Sequence, residues 1–344
     1  MSVAELSANT NAQSKMDSSL FSSLPGTSLR VAEVMPALAR EWGTEQAQPE
    51  MAVRASQMNL ILHLGTAVGE DDARRQWEGA IELAHRYPCR IIILCPDQVV
   101  AANVPLQGKL YVGCFVDAEK TEHHCCEVLS LGYPLHGYSS ALLENQLSVW
   151  KESDLPTYHW FHGMTAEEIG RSWLPLVRNC RRVLFDSSVD EGEFAAIPWP
   201  QPQATRDLAE ARLLTTRQAL GQFLSGYAPA LLAGGLESVT VRHCAHRRGE
   251  ARHLLRWMRQ CLEACAEEGG GALSAKFRAE EVDAEEFCLA VEWQYANGAF
   301  FRWRHARKGN AAQVETNLGG PVCAHPMRVP FPDLPHALAE ALFF

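Results

Sequence analysis

The residues best placed to do chemistry are Asp186, Ser187 and Ser188, which close the apolar run Arg182-Val183-Leu184-Phe185. In an open α/β sheet, ligands bind at the carboxyl ends of the strands, so an acid and two hydroxyls there would suit hydrolase-like or sugar-phosphate chemistry. His63, Cys95 and His162 end or follow neighbouring apolar runs. The plainer reading is a turn that Asp186 caps through its own backbone. No G-x-S-x-G elbow and no metal-binding helix accompanies these residues, so a catalytic assignment is not expected. Trp160-Phe161 ends a second apolar run. An aromatic pair at such a place either fills the core or anchors a partner.

Other clusters invite narrower readings. Gly65-x-x-x-Gly69 lies where a phosphate loop would lie, but it has neither the G-x-G-x-x-G nor the Walker pattern. Glu70, Asp71 and Asp72 follow it, suiting a helix start and repelling an anion. His123-His124-Cys125-Cys126, with Cys114, suggests zinc. Consecutive strand residues face opposite ways, so they cannot close one tetrahedral site, and no metal is expected. Cys261 and Cys265 stand one helical turn apart and are the candidate redox pair, although a disulfide at that spacing is strained. Asp207, Arg212 and Arg217 share one helical stretch, to pair with Glu210 and Glu193 at the surface or to tie two domains together.

The elements that position these residues follow from periodicity. Met58–Leu64 and Arg90–Cys95 are near-continuous apolar runs separated by an amphipathic stretch that Tyr87-Pro88 stops, a strand–helix–strand unit. Strands are also expected at 109–116, 122–129, 156–161 and 182–186, with helices at 138–151 and 165–178. This alternation predicts an α/β fold, a Rossmann-like and mostly parallel sheet. A smaller α+β domain with an antiparallel sheet follows, built on strands near 238–243, 275–279, 286–295, 299–305 and 312–317 and a helix at 250–266. Asn297-Gly298 marks a hairpin turn. The expected layout is a disordered tail over 1–27, the α/β domain over 28–190, a linker and bridging helix over 191–226, and the second domain over 227–344.

Composition removes whole classes of function. The 344 residues carry a formal net charge of −10, which opposes nonspecific nucleic-acid binding. No apolar run approaches the roughly 20 residues that span a bilayer. Eleven cysteines without disulfide-framework spacing, behind a start with no export pattern, are expected to be thiols in a reducing cytoplasm.

In order and spacing, these pieces resemble the glucose-6-phosphate dehydrogenase assembly protein (OpcA) family. The resemblance rests on Asn59-Leu60-Ile61-Leu62, on 85–93 (HRYPCRIII), on Ser153-Asp154-Leu155-Pro156-Thr157-Tyr158-His159-Trp160 and on 182–188 (RVLFDSS). Asp207-Leu208 with Arg212 and Arg217, and Leu254-Leu255-Arg256-Trp257-Met258, complete it. The chain departs from the family at Phe161, Glu210 and Thr216, which stand where the family has tryptophans. The resemblance implies a non-catalytic protein, without a cofactor, that binds glucose-6-phosphate dehydrogenase, promotes its active oligomer and acts as an allosteric effector in the oxidative pentose phosphate pathway. Trp160, Phe161, Asp186, Ser187, Asp207, Arg212 and Arg217 are then the candidate partner- or ligand-binding residues. The alternative is a small-ligand protein or enzyme, taking a sugar phosphate or nucleotide in the crevice at the strand ends.

Overall fold

In the computed structural model, residues 20–45, 56–97, 106–116, 123–134 and 140–344 are described. These residues form two compact units: one holds the described residues up to Phe185 together with 190–206, the other holds 186–189 with 207–344.

The first unit begins with a helical turn α1 (Leu20–Ser23), a strand β1 (Thr27–Arg30) and a helix α2 (Val31–Glu45). There follow β2 (Met58–Leu64), α3 (Glu70–Arg86), β3 (Cys89–Asp97), β4 (Gln107–Val116), β5 (His123–Pro134), α4 (Ser140–Trp150), β6 (Thr157–His162) and β7 (Arg182–Phe185). With β8 (Thr205–Asp207) they make an eight-stranded sheet in the order β1-β4-β5-β3-β2-β6-β7-β8. The strands β5, β3, β2, β6 and β7 run parallel, the Rossmann-like arrangement, and β4 and β1 add an antiparallel edge. Every residue of β2 is buried, because helices on both faces of a parallel sheet leave no side open to water.

Three features of this unit differ from expectation. Residues 20–27 are not a disordered tail: Phe21 and Leu24 are core residues, and the Nζ of buried Lys109 donates to the carbonyls of Phe21, Ser22 and Leu24 at 2.8, 2.9 and 2.7 Å. The stretch after Thr165 is no single helix. One turn (Ala166–Glu168) passes into a π segment (Ile169–Trp173) and a 3-10 segment (Leu174–Val177), where Pro175 has no amide to give the ladder. Residues 190–206 are not a linker either. Phe194, Ile197 and Trp199 pack with Phe161, Val183 and Phe185, with Phe185 and Phe194 stacked 4.3 Å apart.

The second unit contains α5 (Leu208–Ala211), α6 (Leu214–Leu224), α7 (Pro229–Ala233), β9 (Leu236–His243), α8 (Arg248–Glu268), β10 (Lys276–Glu281), β11 (Phe287–Tyr295), β12 (Phe300–Ala306), β13 (Ala311–Thr316), β14 (Cys323–Arg328) and α9 (Leu334–Phe343). The bridging helix expected within 191–226 is in fact two helices, α5 and α6, separated by a turn. The sheet order is β10-β9-β11-β12-β13-β14. It is mixed rather than purely antiparallel, because β10 and β9, joined through α8, run parallel. In β12 Phe301, Trp303 and His305 are buried while Arg302 and Arg304 are not, the alternation of a sheet with one wet face. Leu254, Met258 and Leu262 of α8 cover the dry face against Val239, Val241 and Trp293. The Asn297-Gly298 turn joins β11 to β12 as expected, with Gly298 at φ +80°, where a side chain would strain the backbone. Among the described residues, no helix is long and apolar enough to cross a membrane.

Candidate functional site

The polar residues singled out in the sequence converge in the second unit. Asp186, Ser187 and Ser188 leave the end of β7, and Asp207 opens α5, accepting at 2.9 Å from the amide of Ala209 as a helix cap. Arg212 lies in the turn after α5, and its guanidinium donates through both terminal nitrogens to Asp186 at 2.9 and 2.7 Å. Its Nε donates to Glu250, on the first turn of α8, at 2.7 Å. Ser188 Oγ also donates to Glu250 and accepts from the Gly249 amide at 3.0 Å, and Arg247 donates to Glu250 at 2.8 Å. The Ser187 amide donates to Asp207 at 3.1 Å, and His253 meets the other carboxylate oxygen of Asp207 at 2.7 Å. Gly249 makes this possible: a Cβ there would fall 2.5 Å from Ser187 Oγ and 2.6 Å from Ser188 Oγ.

The electrostatics are those of a closed network. Burial pushes the Glu250 carboxyl upward, but the charges of Arg212 and Arg247 outweigh it and hold the group below its usual range. Burial acts the same way on Asp207 and is outweighed by His253 and the Ser187 contact. Such a network fixes backbone segments, and the Asp207 and Glu250 carboxyls, both held below their usual range, stay ionised at neutral pH.

Glu250 and His253 were not among the residues the sequence singled out. The available signal was weak: an acid and a histidine on the first turns of an amphipathic helix, with nothing to point to a partner in a distant segment.

The remaining candidates separate from this cluster. Trp160 and Phe161 are wholly buried, so the partner contact expected of them is not available; adjacent strand residues face opposite ways, and both faces of β6 are covered. Arg217 pairs with Glu210 at 3.0 Å, half of the expected surface pairing, whereas Arg212 turns inward. Cys261 is exposed and Cys265 half-buried, and both are free thiols. Burial raises both thiol pKa values, which disfavours the reactive thiolate. The zinc reading falls on Cys114, His123, His124 and Cys125, whose side chains lie outside the described residues. Among the described residues no group of three or more His, Cys, Asp or Glu side chains is placed to hold a metal.

The other candidate place is the crevice of the first unit, between the carboxyl ends of β2 and β6, where the strand order reverses and a doubly wound sheet takes a dinucleotide. The chain itself occupies it. A Cβ at Gly65 would lie 1.8 Å from the Gly163 carbonyl oxygen, and one at Gly163, at φ +71°, would lie 2.2 Å from Val68 Cγ2. His162 closes onto Asp72 of α3 at 2.7 Å, and that contact holds the Asp72 carboxyl far below its usual range. Glu70, Asp71 and Asp72 crowd the helix start where a pyrophosphate would sit. The residues present do not fit a dinucleotide. Beneath lies a buried chain in which Tyr133 Oη meets His63 Nε2 at 2.8 Å and His63 Nδ1 meets His159 Nε2 at 3.3 Å. Burial, then the neighbouring His159, lowers His63 well below the usual histidine range; burial, then the Lys151 charge, takes His159 down to about 3. Both rings are therefore neutral at pH 7.

No protein-family model and no curated protein matches the chain. Among solved structures it is similar to the transcriptional regulator Gal80p from Kluyveromyces lactis, at 8% identity and TM-score 0.43, over 87% of this chain and 84% of that one. It is similar to glucose-6-phosphate 1-dehydrogenase from Mycobacterium avium at 10% identity and TM-score 0.44, over 84% and 87% of the two chains. An aldose-aldose oxidoreductase from Caulobacter crescentus, complexed with glycerol, is similar at 8% identity and TM-score 0.37, over 83% and 87%. Similarity at this level concerns the course of the backbone, not chemistry.

Proposed function

We propose that the chain is a non-catalytic binding protein, an assembly factor and allosteric effector of glucose-6-phosphate dehydrogenase. One observation carries this reading: several of the polar residues on which the family resemblance rests, Asn59, Arg90, Asp186, Asp207 and Arg212, serve as internal staples. Asp186 with Arg212, and Asp207 with the Ser187 amide, form two neighbouring sets of internal contacts in the second unit. Asn59 holds the stretch before β6, donating to the carbonyls of Glu152 and Leu155 at 3.0 and 3.3 Å and accepting from the Glu152 amide at 2.9 Å. Buried Arg90 binds Glu127, pairs with Glu152 at 2.6 Å and donates to the Trp150 carbonyl at 2.7 Å. A motif spent on rigidity suits a shaped surface for another protein better than a reacting centre.

A binding protein activates an enzyme only by holding its active state more tightly than its inactive one. The test is to mix the purified chain with the dehydrogenase and follow oligomer size by light scattering and rate against substrate concentration. A larger oligomer or a lower KM is expected. Unchanged size and unchanged kinetics reject the proposal. The competing reading, a ligand or enzyme site in the crevice, meets the Gly65–Gly163 contact that fills it.

A further inference from the structure

The open concavity of the first unit lies at the other end of the same sheet. At the amino ends of β6 and β7, beside the start of β8, a cavity of about 690 Å³ is lined by Lys151, Arg181, Arg182 and Arg206, with amide side chains from Asn179, Gln201 and Gln203. Its lining holds four cations and no carboxylate, in a chain with 41 acidic against 31 basic residues. The cations are held in place by the fold. The Arg181 amide donates to the Thr157 carbonyl at 2.8 Å, and Arg206 Nη1 donates to the carbonyls of Gln203 and Thr205 at 2.9 and 2.8 Å. Arg182 Nη1 is buried without a hydrogen-bond partner. An unmatched buried guanidinium nitrogen among like charges costs stability unless something negative answers it. Burial, then the charges of Arg206 and Arg181, lowers the Arg182 pKa, though a guanidinium remains protonated at neutral pH. The field of Lys151 reaches His159 and Cys180 as well.

We propose that this cavity is a binding site for a small phosphorylated metabolite. The phosphate meets the guanidinium forks of Arg181, Arg182 and Arg206 and the Lys151 ammonium, while the amides and the Ser153 hydroxyl take the polar groups of the rest of the molecule. The volume falls in the range of about 300–1,000 Å³ usual for small-molecule sites, which favours a metabolite over an acidic segment of a protein. The site does not depend on the partner proposed above, since binding is measured on this chain alone.

The test is calorimetric titration of the full chain with ribose 5-phosphate, with ribose and with inorganic pyrophosphate. Ribose 5-phosphate and pyrophosphate bind once per chain and ribose does not; affinity falls as salt rises. Arg182→Gln and Arg206→Gln each weaken binding about tenfold or more, the loss of one charge-assisted contact, and Arg74→Gln on the exposed face of α3 changes nothing. If Arg182→Gln does not fold, exposed Arg181→Gln carries the same expectation. Ribose 5-phosphate binding no better than ribose overturns the proposal, as does binding that Arg181→Gln and Arg206→Gln leave intact. A poly-glutamate peptide that binds where ribose 5-phosphate does not also overturns it and gives the cavity to an acidic partner.

Discussion

Acidification from about pH 7 to about pH 5 tests the buried Tyr133–His63–His159 chain. An unfolded histidine titrates near about 6.5, whereas His159 in the folded chain is lowered to about 3. Folding therefore takes the neutral ring. Stability is full above the unfolded value and declines as pH drops towards the folded one, by about 1.4 kcal/mol for each pH unit and each such group. Across the stated window the loss is about 2 kcal/mol for His159. The Asp72, Asp207 and Glu250 carboxyls are all held below their usual range, so they stay ionised throughout and add nothing. Urea unfolding at both pH values, followed by tryptophan fluorescence, should show the wild type losing about 2 kcal/mol more than His159→Gln. The substitution itself lowers stability at either pH, but only the difference between the two conditions matters. Parallel losses in the two proteins would refute the argument, because they would mean that the ring takes up its proton inside the fold.

Further outcomes follow from contacts already described. Glu250→Gln leaves Arg212 and Arg247 short of a counter-charge in a buried place and should cost about 3–5 kcal/mol, read as a lower urea midpoint. Because Asp207 and Glu250 are held low, their contribution is present above about pH 4 and disappears below it; acid unfolding of Glu250→Gln should be correspondingly shallower. Gly65→Ala drives a methyl group into the Gly163 carbonyl and should lower stability by about 3 kcal/mol, the upper end of overpacking costs, measured by thermal unfolding. Of the described cysteines, a thiol reagent should modify exposed Cys261 first in the native protein. Cys89, Cys180 and Cys288 are buried and should react only after unfolding, as mass spectrometry of labelled peptides would reveal.

The central strands of the first unit were legible because strands buried on both faces are unbroken apolar runs, as in Ile91-Ile92-Ile93-Leu94, and because Tyr87-Pro88 punctuates the helix before them. The edges were not. Cys323–Arg328 carries Pro326 and is mostly exposed, as an edge strand can be, so it has no hydrophobic pattern to find. Thr27–Arg30 is similarly exposed. Asp186, Ser187, Asp207 and Arg212 were legible as important residues but not as one another's partners: a side chain's type states what it can bind, and the fold alone decides what comes within reach. Trp160 and Phe161 mislead for the same reason, since an aromatic pair looks alike whether it meets a partner or its own helices. The basic cavity was not legible because its cations come from three separated places, Lys151, Arg181-Arg182 and Arg206, each unremarkable in a row of letters.

The Lys109 side chain, threaded among the last carbonyls of the α1 turn, has a practical consequence. Shortened versions of the chain that begin after Leu24 would strip an ammonium of all three oxygens it rests on and open the sheet where Phe21 covers Gly132. The latest safe starting point lies ahead of Leu20, although nothing in the letters of Leu20–Leu24 looks indispensable.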